Sequence, residues 1–424
     1  MQYGLIGKKL GHSYSKIIHE LLCDYTYDLC PQPTEADAHA FMQAKEFKAI
    51  NVTIPYKQLV MDYCDEIDPQ AKAIHAVNTI VNRGGKLYGY NTDYRGFCYL
   101  LDRHGVQLAG KTVLILGTGG THHTTSAVAR DRGAAQIITV SRTPDPAKGW
   151  IGYEEAAKVD AHVVINTSPA GMYPEVGVCH LDLSGMAHLE AVVDAIYNPF
   201  RTELLLRAEE RGVTACNGFE MLVAQAVYAA EHFLATPFED CDAEIARVYN
   251  QLSAQLSNIV LIGMPSSGKS RIGQALAQRT GKTFVDLDDA IEAMSGRRIP
   301  DIFAQSGEAE FRRWETLAVA KYSKENGQVL ACGGGVIKTP GNARLLRQNG
   351  VVLFIDRPVD ALAVGGYRPL STSIEALRAM YAQRLPLYRA AADAIVPNHT
   401  TLNAAIDAAE RAFHEIFDPE RTER

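Results

Sequence analysis

No apolar run in this 424-residue chain reaches the ~18 residues of a membrane-spanning helix. The apolar part of the opening MQYGLIGKKLGHS is too short for a signal peptide, so a soluble, cytoplasmic protein is expected. No C-x-x-C pair occurs among Cys23, Cys30, Cys64, Cys98, Cys179, Cys216, Cys241 and Cys332. That excludes a zinc ribbon and a thioredoxin-like redox site, and leaves reduced thiols as the expectation. Positive charge is not in excess: the net charge is −7. Nothing therefore points to nucleic acid or an anionic membrane as a partner, and an anionic ligand must be held by local basic clusters. Internal repeats are absent as well.

What is present is an ordinary globular balance, 47% apolar and 21% charged residues, over a length that suggests two to four domains at roughly 150 residues each. Strand-like apolar runs alternate with helix-like stretches, the pattern of an α/β protein with mostly parallel sheets. The clearest strands are Val113–Leu116, Ile137–Val140, Val163–Ile165, Ala191–Ala195, Ile259–Ile262 and Val351–Ile355. A boundary falls at the polar stretch NQLSAQLS, residues 250–257, after a helix-like segment Ala243–Leu252. Without Pro or Gly it reads as a stiff or helical join. A weaker boundary lies near Leu100–Gly110.

Two of the strands run directly into glycine-rich loops. The first, after Leu116, is Gly117-Thr118-Gly119-Gly120, a G-x-G-G that becomes a dinucleotide signature when a second strand follows at the right distance. That strand ends in Ser141-Arg142-Thr143 where an Asp or Glu would bond the ribose of NAD. A guanidinium and two hydroxyls suit a 2′-phosphate, favouring NADP; a solvated surface Arg142 is the plain alternative. His122 and His123 follow the loop, but adjacent helical residues point in different directions and do not make a metal pair. Around this unit polar residues cluster: Ser13 and Ser15 at spacing two, as if facing one ligand from an extended strand; Thr53 and Lys57 in NVTIPYK, with Pro55 giving an extended entry; Asn78 in AVNT; Asn91 and Asp93 in YNTD. Hydroxyls, amides, one lysine and one carboxylate together suit a polyhydroxylated carboxylate.

The pieces GHSYSKIIH, INVTIPYK, AVNTI, GYNTDYRG, GTGG, SRT, INTSPAGMYP, DAIYNP and GFEMLVAQA run in order through residues 1 to about 250, and this segment resembles shikimate dehydrogenase. The resemblance implies NADPH-dependent reduction of 3-dehydroshikimate to shikimate. It places Ser13 and Ser15 on the substrate carboxylate and Thr53, Asn78, Asp93 and Gln225 on the ring hydroxyls. Lys57 becomes the acid/base paired with Asp93. Gly117, Gly119, Gly120, Ser141, Arg142, Thr143 and Gly218 become the NADP site. It also implies a substrate domain, 1–100 with 219–250 returning, and a Rossmann-like cofactor domain, 101–218. The chain departs from the family pattern at Ser141, where Asn is usual, and at Pro146, where a second basic residue is usual; Lys148 is the nearby substitute.

The second loop, GMPSSGKS from Gly263 to Ser270, fits G-x-x-x-x-G-K-[ST], between a strand and a helix-like stretch Arg271–Thr280. Its backbone amides would cradle phosphates with Ser266, Ser267 and Gly268; Lys269 would bridge β and γ, and Ser270 would ligate Mg²⁺. FVDLD follows, with Asp286 and Asp288 at the spacing of one strand face. Such a pair fits a metal ligand and a group binding or deprotonating an acceptor hydroxyl. Arg312, Arg368 and Arg384, with the flexible Gly333–Gly335, suggest an acidic acceptor.

On GMPSSGKS, DLD, FRRWE, GGG, RPL and RLPLY, residues 258–424 resemble shikimate kinase, a P-loop nucleoside-monophosphate-kinase-like α/β domain joined by residues 251–257. The resemblance implies that Asp288, Arg312, Gly334 and Arg384 bind shikimate, that Asp286 serves Mg²⁺, and that Arg368 belongs to a lid over ATP. The stretch DRPVDALAVGGY is shorter than the usual lid and keeps only Arg357 besides Arg368, so weak base discrimination is expected. The whole reads as a bifunctional enzyme of aromatic amino-acid biosynthesis acting on small molecules, with oligomeric state left open. The alternatives are an NAD-dependent quinate/shikimate dehydrogenase fused to the kinase, or one half serving as a non-catalytic binding module.

Overall fold

The computed structural model describes residues 1–11, 13–363 and 373–417. The chain divides into two compact units. One comprises Met1–Asn198 and Leu204–Tyr249; the other takes Pro199–Glu203 with the chain from Asn250 onward.

The first unit holds two sheets. One is built from β1 (Tyr3–Gly7), β2 (Tyr27–Pro31), β3 (Ala49–Val52), β4 (Glu66–Ile67), β5 (Thr79–Arg83) and β6 (Lys86–Tyr90) in the order β2-β1-β3-β5-β6-β4. It is mixed: β1 runs parallel to β2 and β3, while β5 is antiparallel to β3 and β6. The other contains β7 (Thr112–Leu116), β8 (Gln136–Val140), β9 (Val163–Asn166), β10 (Ala191–Asp194) and β11 (Thr214–Cys216), ordered β11-β10-β9-β7-β8 and parallel throughout. Its inner strands β7, β9 and β10 are buried on both faces, as helices cover both sides of a parallel sheet. Val113 and Ile115 pack with Phe97, Leu100 and Leu101; the alternate Leu114 and Leu116 pack with Val164, Val192 and Leu205. The chain leaves β7 for β8 on one side and returns to β9 on the other, so the carboxyl end of β7 is a topological switch point, where α/β sheets open a crevice for ligands.

The second unit has one parallel sheet of β12 (Asn258–Ile262), β13 (Thr283–Asp286), β14 (Gln328–Ala331), β15 (Gly350–Asp356) and β16 (Ala394–Pro397), ordered β13-β14-β12-β15-β16. Val260, Ile262, Val352 and Phe354 face one layer of helices; Ile259, Leu261, Leu353 and Ile355 face the other. β12, at the centre, delivers the second glycine loop.

All six strands expected from the sequence lie within or overlap these elements, to within a residue at their ends. Residues 251–256 belong to a single helix, Cys241–Leu256. Its end is capped by the Lys282 ammonium, which donates to the carbonyls of Ala254, Gln255 and Ser257 at 2.8, 2.7 and 2.8 Å, a favourable place for a cation. Pro199–Glu203, which the sequence reading put inside 101–218, groups with the second unit. Phe200 N donates to Asn349 Oδ1 at 3.0 Å, and Arg201 pairs with Asp393 at 3.2 Å. No helix among the described residues is long and apolar enough to cross a membrane.

Candidate active sites

In the first unit a cavity of about 1260 Å³ opens beside the carboxyl ends of β3 and β7. Every residue proposed for the dehydrogenase substrate lines it: Ser13, Ser15, Thr53, Lys57, Asn78, Asp93 and Gln225. So do Gly117, Gly119, Ser141, Arg142, Thr143 and Gly218; Gly120 is one step further on, the first residue of the helix Gly120–Asp131.

The centre of the cavity is an ion pair. Lys57 Nζ lies 2.6 Å from Asp93 Oδ2, with side chains 15% and 13% exposed. Lys57 sits on the turn after β3, tied by its carbonyl to Val77 N at 2.8 Å. Asp93 occupies the first turn of the helix Thr92–Arg103, whose N-cap Asn91 accepts from Tyr94 N and donates to Ala76 O. Asn91 thus serves the backbone. Asn78 spans the two elements: its Oδ1 accepts from Thr92 N at 2.8 Å and its Nδ2 donates to Thr92 Oγ1 at 3.1 Å, leaving one amide hydrogen for a ligand. Gln225 is held by Nε2 on Leu222 O at 2.8 Å.

Two local expectations fail. Ser13 and Ser15 are not on an extended strand: Ser15 begins the helix Ser15–Leu22 and its N–H donates to Ser13 Oγ at 3.3 Å. The serine–backbone bond competes with a strand and wins at a helix start. Pro55 does not give an extended entry to Lys57 either. The Ile54–Pro55 peptide is cis, and Tyr56 N turns back to Thr53 O at 3.0 Å.

The glycine loop is shaped for a close approach. Gly117 has φ +98°, and a Cβ there would stand 2.9 Å from Ser168 N. Nothing lies within 4 Å of the Cβ positions of Gly119 and Gly120, so the N-terminus of a twelve-residue helix faces open space suited to phosphate. A Cβ on Gly218 would collide with the Ala195 carbonyl. Arg142 is exposed on the cavity wall. Lys148 is turned aside, 3.3 Å from Asp145 and over the Trp150 ring at 4.6 Å. His122 bonds Thr139 Oγ1 at 2.9 Å, and burial, with His123 adding, holds its pKa down at about 4. Sequence reasoning missed Asn51, Trp150 and Tyr197, which also line the cavity. Tyr197 stood in the quoted DAIYNP, but a tyrosine in an apolar run carries no chemical signal of its own.

In the second unit the loop after β12 turns through Gly263 (φ +145°), Ser266 (φ +64°) and Gly268 (φ +95°) into the helix Lys269–Thr280. Lys269 Nζ donates to the carbonyls of Gly263 and Met264 at 2.9 and 2.8 Å, so the loop is closed around its own cation. The buried Ser267 is held at its carbonyl by Asn398 Nδ2, 2.8 Å away. Ser270 Oγ donates to Asp286 Oδ2 at 2.6 Å, bringing a hydroxyl and a carboxylate to one point, the oxygen donors a hard cation takes.

Asp286 and Asp288 do not share a strand face. β13 ends at Asp286, which caps the helix Leu287–Ser295 by accepting from Asp288 N at 3.0 Å. Capping ended the strand before its alternation could place the second carboxylate. Asp288 instead approaches Gly333, whose Cβ position lies 3.1 Å from both Asp288 Oδ1 and Glu315 Oε1. Arg312 Nη1 pairs with Glu315 Oε2 at 2.7 Å and Nη2 with Glu308 at 3.0 Å. Arg384, 4% exposed, donates from Nη1 to Gly334 O at 2.9 Å. Gly334 abuts the Pro265 ring and Gly335 the Arg312 guanidinium; side chains at these glycines would displace the groups of the site. Glu315, missed as a site residue, is 1% exposed; burial raises its pKa and Arg312 opposes that. Its signal was there, a carboxylate three residues after Arg312 on one helix face. Arg368 and the last four residues of DRPVDALAVGGY fall in 364–372, outside the described residues.

A family model described as shikimate dehydrogenase substrate binding domain matches residues 5–80, and one described as shikimate kinase matches residues 265–417. A shikimate dehydrogenase (NADP(+)) of Clostridium beijerinckii is 37% identical over 243 residues, 54% of this chain and 90% of that protein. The crystal structure of shikimate dehydrogenase 1 from Peptoclostridium difficile is 34% identical with a TM-score of 0.55, covering 59% of this chain and 98% of that one. A chorismate mutase/shikimate 5-dehydrogenase fusion protein from Clostridium acetobutylicum is also 34% identical, with a TM-score of 0.55 over 59% and 96% of the two chains. With its G-x-G-G cavity and its phosphate loop, the chain belongs to the shikimate dehydrogenase family and carries a shikimate kinase domain on the same polypeptide.

Proposed function

We propose that this chain reduces 3-dehydroshikimate to shikimate with NADPH and phosphorylates the 3-hydroxyl of shikimate with ATP and Mg²⁺. The reduction is supported above all by the Lys57–Asp93 pair at 2.6 Å in the cavity that also receives the G-x-G-G loop. Bound NADPH would supply a hydride to the carbonyl carbon. Negative charge then develops on the former carbonyl oxygen; Lys57 stabilises it and donates the proton that completes the hydroxyl, while Asp93 holds the ammonium in place. Ser13 and Ser15 would hold the substrate carboxylate, and Thr53, Asn78 and Gln225 the ring hydroxyls. Arg142, with Ser141 and Thr143, supports NADPH over NADH, by offering a cation for the 2′-phosphate.

For the kinase, the Ser270–Asp286 contact fits Mg²⁺, which when bound with ATP would neutralise charge on the transferring phosphoryl group. Lys269 would release the carbonyls of Gly263 and Met264 for the β- and γ-phosphates. Arg312 and Arg384 would hold the acceptor's carboxylate, and Asp288 would orient its hydroxyl and take its proton.

Separate assays of the full chain test both halves. Oxidation of NADPH on adding 3-dehydroshikimate, and ADP formation on adding shikimate to Mg²⁺ and ATP, are expected. Loss of either signal removes that half of the proposal. Faster oxidation of quinate with NAD than of shikimate with NADP would establish the alternative dehydrogenase instead.

A further inference from the structure

The peptide joining Gly334 to Gly335 is held from one side only. Its carbonyl accepts from Arg384 Nη1 at 2.9 Å and from the Tyr388 hydroxyl. The peptide is trans, so the Gly335 N–H points away from both donors. Among the described residues no protein acceptor meets the N–H of Gly334 or of Gly335. Two buried side-chain atoms at the same place also lack partners, Arg384 Nε and Glu315 Oε1. Buried polar groups are seldom left unpaired. Backbone amides, a guanidinium edge and a carboxylate oxygen are together what a hydroxylated carboxylic acid would satisfy.

Tyr388 differs from its neighbours. It is fully buried, and its ring stacks on Phe354 of β15 with centroids 4.9 Å apart. Its hydroxyl meets the loop at the Gly334 carbonyl. Arg384 has two tasks: it supports the Gly334 carbonyl, and it is the cation that would meet the acceptor's carboxylate. Tyr388 has one.

We propose that Tyr388 is a positioning residue for the phosphoryl acceptor: its hydroxyl fixes the Gly334 carbonyl, keeps the Gly334 and Gly335 amides aimed at the acceptor, and leaves Arg384 available to the acceptor's carboxylate. The proposal rests on the shikimate kinase reading of this unit. Without the hydroxyl, the guanidinium alone must hold the carbonyl, and the loop and the carboxylate compete for it.

The test is Tyr388→Phe in the full chain, which keeps the ring and its stacking and removes one oxygen. The KM for shikimate is expected to rise about tenfold, the loss of one well-placed hydrogen bond, with kcat and the KM for ATP within about twofold of the parent. NADPH-dependent reduction on the same chain serves as an internal control and stays unchanged. An unchanged KM for shikimate overturns the proposal. So does a fall in kcat together with a raised KM for ATP and a lowered melting temperature, the pattern of a purely structural tyrosine. If the parent chain itself fails to phosphorylate shikimate, the kinase reading falls first, and the proposal with it.

Discussion

Lys57 and His19 show how differently two basic groups are used within one unit. Lys57 is kept partly open to the cavity and given a carboxylate partner at 2.6 Å, the setting of a proton donor. Replacing it with alanine is expected to lower turnover in the reduction by about two to four orders of magnitude, with the KM for 3-dehydroshikimate little changed. Steady-state kinetics check this; a raised KM with unchanged turnover would contradict the role. His19 is fully buried, stacked on Tyr27 with centroids 4.2 Å apart, and bonded through Nδ1 to Tyr25 at 2.8 Å. Burial drives its pKa from 6.5 down to about 3, with an Asn51 hydrogen bond opposing. The unfolded chain therefore takes up a proton below about pH 6.5 that the folded chain refuses until about pH 3. Stability from this group is complete above that window and is lost as pH falls through it. Calorimetry of the full chain is expected to show a shallower acid loss for His19→Asn than for the parent; equal slopes would show that His19 does not titrate in this way.

At the scale of elements, the apolar strands that feed glycine loops were legible, because a buried parallel strand is a short run of Val, Ile and Leu and a phosphate loop must be rich in glycine. The short segments were not. Ser13-Tyr14-Ser15 and Asp286-Leu287-Asp288 share the spacing of one strand face, yet each lies at a helix start, where a side-chain oxygen meets a backbone N–H. Alternation over three residues cannot distinguish a strand from a cap. Asp286 consequently has two functions, capping the helix Leu287–Ser295 and facing Ser270. Asn caps as well as Asp, so Asp286→Asn separates them. The melting temperature should hold while kinase turnover falls at least about tenfold, through loss of the charge that would meet the proposed Mg²⁺. Unchanged turnover would reduce Asp286 to a cap.

For the whole molecule, the sequence motifs picked out the residues proposed for the dehydrogenase substrate, which line one cavity, and the phosphate loop, which meets Asp286. What stayed hidden was what depends on neighbours distant in sequence: Trp150 and Tyr197 on the cavity wall, and Pro199–Glu203, whose anchoring by Asn349 and Asp393 no local pattern announces. The central claim is that both chemistries reside on this chain. It is tested most directly by supplying the intact protein with 3-dehydroshikimate, NADPH, ATP and Mg²⁺, and following shikimate 3-phosphate. The parent chain is expected to form it. Lys57→Ala should form it from added shikimate as the parent does but at least about a hundredfold more slowly from 3-dehydroshikimate, and Lys269→Ala should stop at shikimate. Failure of the parent chain to form shikimate 3-phosphate from 3-dehydroshikimate would contradict the account.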